Sequence, residues 1–302
     1  MRVGVTGSTG FLGSALVTAL EARGDDVVRF VRPSSTPVAG ATIRWDPERS
    51  LIDEGDLAAA AGFDAVVNLA GTGIASHRWS PSYRRRVMTS RTDATTLLVE
   101  ALTAMTSGVA VLVSGSAVGY YGNRGDDLLS ETSSPGEDYV AEVCREWEAA
   151  AAPFARTGAS LALARTGIVM GAAGGVMERL LPLFRAGLGG VIGSGRQWMS
   201  PISLVDEVAA LIWLIDHQLS GPFNLVAPSP CTNRDMTKAL ARALHRPSLL
   251  RLPTLAMRLA LGRELADNTV VTSQRVVPAA LVASGFVFSS TDIDDVIASA
   301  LS

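Results

Sequence analysis

The stretch that decides the fold is Val3 to Gly13, VGVTGSTGFLG. A short apolar run, Val3-Gly4-Val5, enters Thr6-Gly7-Ser8-Thr9-Gly10-Phe11-Leu12-Gly13, and Ala15, Leu16 and Leu20 follow at helical spacing. Strand, glycine turn and helix in that order present free backbone N–H groups and the positive end of a helix dipole, a ready seat for a diphosphate. The spacing gives Gly7 the tight turn, Gly10 the close approach of phosphates, and Gly13 the packing of helix on strand. A plain βα turn is the alternative. The strand before and the helix after the glycines favour a dinucleotide site, with Gly7, Thr9, Gly10, Phe11, Leu12 and Gly13 as its candidate cradle.

Working outward, apolar strands alternate with helices. Val27–Val31, Ala41–Trp45, Ala65–Ala70, Val109–Val113 and Leu161–Ala164 read as strands two to six. Their unbroken Val/Leu/Ala character suits a parallel sheet covered on both faces. Helices are expected over Ser82–Ala104 and Glu137–Thr157, the latter with Val140, Val143, Trp147 and Ala151 at helical spacing. Beyond Gly171 the pattern changes to Gly-rich turns between helices Met177–Ala186, Leu204–Leu219 and Asn233–Leu244. The expected fold is α/β: a doubly wound, parallel Rossmann-type sheet with a smaller, mainly helical C-terminal lobe. Residues 1–170, joined again by 204–227, would form the nucleotide-binding domain, and 171–203 with 228–302 the substrate lobe.

Composition narrows the classes of function. The 302 residues are 48% hydrophobic and 18% charged with a formal net charge of -3, so no long-range field draws nucleic acid or a membrane surface. The one basic run, Arg84-Arg85-Arg86, reads as a solvated helix face. Ala209–Leu219 is too short to span a bilayer and carries Asp216 and His217. Two cysteines (Cys144, Cys231) and three histidines without ligand spacing imply neither a disulfide framework nor a metal site. With the first strand starting at Val3, a cytoplasmic protein acting on a small molecule is the expectation; its oligomeric state is left open.

The end of strand two bears on the cofactor. A carboxylate there would hold the ribose 2′-OH of NAD, whereas this chain has Arg29-Phe30-Val31-Arg32-Pro33-Ser34-Ser35. Arg32 can pair with a 2′-phosphate, with Ser34 and Ser35 as hydroxyl donors, so NADP(H) is favoured. Leu69, Ala70 and Gly71 would wall the cofactor. Arg91 either reaches its phosphates or ribose or is an ordinary helix-surface arginine.

Further segments carry a resemblance: Asn68-Leu69-Ala70-Gly71, Ser114-Gly115-Ser116-Ala117-Val118-Gly119-Tyr120-Tyr121-Gly122, Cys144-Arg145-Glu146-Trp147-Glu148, Gly193-Ser194-Gly195-Arg196-Gln197-Trp198, Gly221-Pro222-Phe223-Asn224-Leu225 and Gln274-Arg275-Val276-Val277-Pro278. Together with the glycine turn, they resemble the atypical extended short-chain dehydrogenase/reductases, and within them the nucleotide-sugar-epimerase-like subgroup with an uncharacterised C-terminal domain. The resemblance implies a Ser or Thr after strand five and a Tyr-x-x-x-Lys helix. Ser116 and Tyr139 match, but Val143 stands where the lysine belongs. Without that cation a tyrosine stays near its ordinary pKa of about 10 and is a weak base. Arg145 is on the wrong face of the helix to replace it; Tyr121, with Tyr120, is the alternative proton donor. The loop Gly193–Met199 would meet substrate through Arg196, Gln197 and Trp198, with packing of the lobe as the other reading for Trp198. Pro201 and Ser203 depart from the tryptophan and histidine expected there. Two functions remain: an NADP(H)-dependent oxidoreductase or epimerase-like enzyme for a small carbonyl or sugar-like substrate, or a catalytically weak NADP(H)-binding redox sensor.

Overall fold

The computed structural model describes residues 1–33, 35, 38–105, 108–172 and 174–302. Its centre is an eight-stranded sheet. Seven strands are parallel: β1 (Arg2–Thr6), β2 (Asp26–Val31), β3 (Ala41–Asp46), β4 (Phe63–Asn68), β5 (Val109–Ala117), β6 (Ser160–Thr166) and β7 (Gly221–Leu225). The order is β7-β6-β5-β4-β1-β2-β3, with Leu51–Ile52 antiparallel at the edge. The chain builds outward from β1 in one direction and then, from β4, in the other. The crevice at the strand ends between β1 and β4 is where such sheets take their ligands.

Both faces are buried, which is why the strands read as continuous apolar runs. On one face Val3, Val5, Ala65, Val67, Val111 and Val113 pack against Leu16, Val17 and Leu20 of helix α1 (Phe11–Arg23) and against the helix Leu204–Asp216. On the other, Val28, Phe30, Ile43, Val66 and Leu112 meet Ala94, Leu97 and Leu98 of helix α2 (Pro81–Ala104). Fully burying each Val, Leu, Ile or Phe among them contributes about 1.5–3 kcal/mol. Helix α3 (Tyr139–Ala151) starts where Asp138 caps it by accepting from the Ala141 N–H, and it ends before a 3-10 turn over Ala152–Thr157. The continuous helix expected over 137–157 is therefore two pieces, because Pro153, two residues past the end of α3, supplies no N–H.

Strand β5 runs four residues past its apolar core, since Ser114–Ala117 stay paired with Leu163–Thr166 of β6. This carries Ser116 to the carboxyl end of the sheet. The lobe has its own core of Met170, Met177, Leu181, Phe184, Met236, Leu240, Val296 and Ile297. It is mainly helical but stitched by short pairings, Ile168–Met170 with Pro201–Ser203 and Trp198–Met199 with Cys231–Thr232. No helix among the described residues is long and apolar enough to cross a membrane.

Candidate functional site

The glycine turn is shaped by close packing. Gly7 has φ +63°, and a Cβ there would stand 2.5 Å from the Leu69 carbonyl oxygen. A Cβ on Gly13 would stand 2.1 Å from the Gly7 carbonyl oxygen, so the first turn of α1 rests directly on the loop. Gly10 differs. A Cβ there makes one tight contact, 3.2 Å from the Gly7 oxygen, and meets nothing else within 4 Å, so the fold leaves space on its other sides. Gly10 is the N-cap of α1 with no capping side chain, which leaves the leading N–H groups without a protein acceptor among the described residues. The Ser8 hydroxyl, also in the turn, is buried without a partner among the described residues.

Opposite the turn stands the wall predicted at Leu69–Gly71, held by a buried polar chain. The Leu69 and Ala70 N–H groups donate to Thr6 Oγ1 (3.0 and 3.1 Å), and Thr6 donates to Asn68 Oδ1 (2.7 Å). Asn68 Nδ2 and Trp147 Nε1 both donate to Thr95 Oγ1, at 2.8 and 3.0 Å. Arg91 lies behind the wall. A Cβ on Gly71 would be 3.2 Å from its Cζ, and its Nη1 donates to the Thr72 and Val87 carbonyls, both at 2.9 Å. Between turn and wall is a cleft of about 310 Å³ that Gly7, Thr9, Gly10, Arg32, Leu69, Ala70 and Gly71 all line. Phe11 and Leu12 do not turn their side chains into it: Phe11 packs on Gly171, Gly174 and Gly175, and Leu12 on the sheet core. Only their backbones remain for a ligand. Ser34 lies outside the described residues; Ser35 lines the cleft.

The strand-five end is a closed network. Ser116, 4% exposed, donates to Glu148 Oε1 at 2.7 Å. Glu148 in turn receives Arg165 through two bonds of 2.8 and 2.9 Å, and Arg165 lies 3.5 Å from the Tyr120 ring centroid and donates to the Tyr121 hydroxyl at 3.1 Å. Tyr121 donates to Asn224 Oδ1 at 2.6 Å and is fully buried, and burial pushes its phenol up to about 12. The expectation of Tyr121 as a proton donor at the sheet edge is corrected here, because its hydroxyl is engaged inside the fold.

Tyr139 opens α3 half-buried, with its hydroxyl donating to the Arg84 carbonyl. Its ring stands edge-on to Trp79 at 5.1 Å, under the Arg84 guanidinium at 4.1 Å. Burial raises its pKa, while the charges of Arg84 and Arg91 act against that rise. Val143 is buried against Tyr83 and Val87 of α2, and Arg145 donates to the Gly136 carbonyl. The positive charge near Tyr139 thus comes from α2, not from its own helix. The solvated-face reading of Arg84-Arg85-Arg86 fails for Arg84, which also pairs with Glu264 at 3.3 Å. Arg85 and Arg86 are exposed, yet they line a second cavity together with Arg32.

In the loop before the late helix, Gly193 and Gly195 have φ +60° and +70°. Gln197 does not offer its amide to a ligand: Nε2 donates to the Ile192 and Val270 carbonyls at 3.2 and 3.3 Å, tying the loop to the lobe. Trp198 is half-buried, its indole Nε1–H donating to Asp126 Oδ1 at 2.8 Å and its ring 4.4 Å from the Arg275 guanidinium. Arg196 alone of the three is exposed. Sequence reasoning missed Glu207, which lies in the apolar helix Leu204–Asp216, accepts from Thr166 at 2.7 Å, and leaves Oε2 unpartnered. Nothing in its local pattern distinguished it from a surface residue.

Comparison with known proteins places this geometry. Residues 3–227 match the NAD dependent epimerase/dehydratase family, and residues 252–300 match a domain of unknown function, DUF1731. The chain belongs to the NAD dependent epimerase/dehydratase family. It is 44% identical over 294 residues to an epimerase family protein of Mycobacterium bovis, covering 97% of this chain and 95% of that protein. It is 36% identical over 300 residues to the chloroplastic SDR39U1 homolog of Arabidopsis thaliana, covering 98% of this chain and 85% of that one. Human epimerase family protein SDR39U1, whose crystal structure is with NADPH, superposes with a TM-score of 0.88 at 32% identity over 100% and 99% of the two chains.

Proposed function

We propose that this chain binds NADP(H) between the glycine turn and the Leu69–Gly71 wall, and that it is a reductase or epimerase-like enzyme for a small carbonyl or sugar-like substrate. The observation that carries the reading is the cleft itself. Gly7 and Gly13 are required by the fold's own packing, whereas Gly10 keeps space open beside unclaimed N–H groups and the unpartnered Ser8 hydroxyl. Those donors fit a diphosphate. The NADPH in the human relative, and the NAD in more distant epimerases such as that of Thermus thermophilus, support a nicotinamide dinucleotide. For NADP(H) over NAD, support comes from Arg32 on the cleft and from the human relative.

A nicotinamide cofactor supplies hydride transfer; proton handling falls to this chain. Tyr139, whose phenol burial holds neutral and which, unlike Tyr121, is only half-buried, would give a proton rather than take one once its hydroxyl is exchanged from the Arg84 carbonyl. Arg84 and Arg91, on α2, would stabilise the phenolate that donation leaves, and Arg91 fixes the wall through the Thr72 carbonyl. Ser116 would orient a substrate oxygen once exchanged from Glu148, and Arg196 would meet an oxygen-rich group from the lobe formed by 171–203 and 228–302. Proton donation favours carbonyl reduction. The closed Ser116–Glu148–Arg165 network and Val143 favour the second reading, a binding protein that reports NADP(H) without turnover.

Titration calorimetry with NADPH and NADH, followed by NADPH oxidation across aldehydes, ketones and keto sugars, tests both readings. NADPH should bind tighter by about 1–3 kcal/mol, and Arg32→Ala should remove most of the difference. Equal affinities in the wild type would refute the NADP(H) assignment. Tight binding without oxidation of any compound would select the sensor.

A further inference from the structure

Arg32 lines two cavities. One is the cleft beside the glycine turn; the other, of about 490 Å³, is walled by Glu48 after β3 and by Arg85, Arg86, Thr89 and Asp93 of α2. Three guanidinium groups therefore border a space that holds two carboxylates. Among the described residues, neither Arg85 nor Arg86 has an acidic partner, and both are exposed. Arg32 has only a loose one: Glu48 at 3.7 Å, beyond hydrogen-bond length, with side chains 37% and 66% exposed. An exposed pair of that kind contributes little and is readily exchanged.

We infer that Arg85 and Arg86 complete, from α2, a three-arginine seat for the ribose 2′-phosphate, and that Glu48 is the seat's own competitor. The inference rests on the NADP(H) reading above. With a diphosphate on the glycine turn, the adenosine ribose lies at the end of β2, where Arg32 stands at the junction of the two cavities. A phosphate dianion there can take Arg32 from Glu48 through shorter, charge-assisted bonds, and the planar guanidinium groups of Arg85 and Arg86 face it across the second cavity. Glu48 then has two effects. It neutralises Arg32 while the seat is empty, and it repels the phosphate as it arrives. Preference for the phosphorylated cofactor is thus set by residues on two separate elements, and Glu48 restrains it.

The test uses the intact protein with 2′,5′-ADP and 5′-AMP, which differ only in the phosphate concerned, alongside NADPH and NADH. Binding is measured by calorimetry for the wild type, Arg85→Ala, Arg86→Ala, the double variant and Glu48→Gln. Each arginine removal should weaken 2′,5′-ADP by about three- to tenfold and leave 5′-AMP within about twofold. Glu48→Gln should tighten 2′,5′-ADP by about two- to fivefold, and raising the salt should shrink that gain. The inference is overturned if the double variant keeps the wild-type ratio of the two nucleotides while NADPH still binds, or if Glu48→Gln weakens NADH, which would make Glu48 a ribose ligand. Failure of the wild type to bind either dinucleotide overturns the cofactor reading instead.

Discussion

Replacing Glu207 by Gln should remove a large pH dependence of stability. Glu207 is fully buried on the helix Leu204–Asp216, with one oxygen accepting from Thr166 at 2.7 Å and the other without a partner. Burial pushes its carboxyl up from 4.5 to about 8. The folded protein therefore keeps a proton that the unfolded chain loses as pH rises past 4.5. Unfolding releases that proton, so stability is fully present below 4.5, declines between 4.5 and 8, and levels off above. At about 1.4 kcal/mol per pH unit, the window from pH 5 to pH 8 removes roughly 4 kcal/mol. Gln cannot ionise and keeps the acceptor for Thr166. At pH 5 the variant should be slightly the less stable, by about 1 kcal/mol, because its amide brings an extra unpartnered donor. By pH 8 it should be the more stable. Urea denaturation of both proteins at pH 5, 6, 7 and 8 measures the difference, and ionisations elsewhere cancel between the two. A difference that stays constant across that range would refute the reasoning, since it would mean that Glu207 is already ionised in the fold.

Two further outcomes follow from the site. Gly10→Val should abolish dinucleotide binding in calorimetry while leaving the circular dichroism spectrum nearly unchanged and costing about 1 kcal/mol in urea denaturation, because the Cβ meets only the Gly7 oxygen, tightly at 3.2 Å, and valine is a poor N-cap. Wild-type affinity in that variant would move the phosphate cradle elsewhere. Arg165→Met should cost about 3–5 kcal/mol in urea denaturation, because it leaves Glu148 without the cation that holds it; a loss under about 1 kcal/mol would show the pair to be dispensable.

Much of the fold was legible because its signals are local. The glycine turn is constrained by contacts within eleven residues and by one neighbouring strand end, so its pattern can be read without knowing the rest of the chain. Strands such as Ala65-Val66-Val67 and Val111-Leu112-Val113 announce burial on both faces, and with it a parallel sheet between layers of helices. Leu69–Gly71, read as the end of the fourth strand and the residue after it, leave the strand at Asn68 and line the cleft.

The chemistry was not legible in the same way, because it depends on which charges meet across the chain. Ser116 finds Glu148 from 32 positions away, and Glu148 finds Arg165 from 17 more. Tyr121 is sealed by Asn224, 103 residues on, and Gln197 is held by Val270. Arg84, Arg85 and Arg86 are consecutive, and no pattern of spacing separates the one that stacks on Tyr139 from the two that border the cavity at Arg32. By itself the sequence determined where backbone can bend, where it must be apolar, and where strand, glycine turn and helix meet. The tertiary structure decided which polar groups are engaged and which remain open to a ligand. The physical reason is that hydrogen bonding and desolvation act over a few ångströms in space, and such distances exist only once the helices have packed onto the sheet.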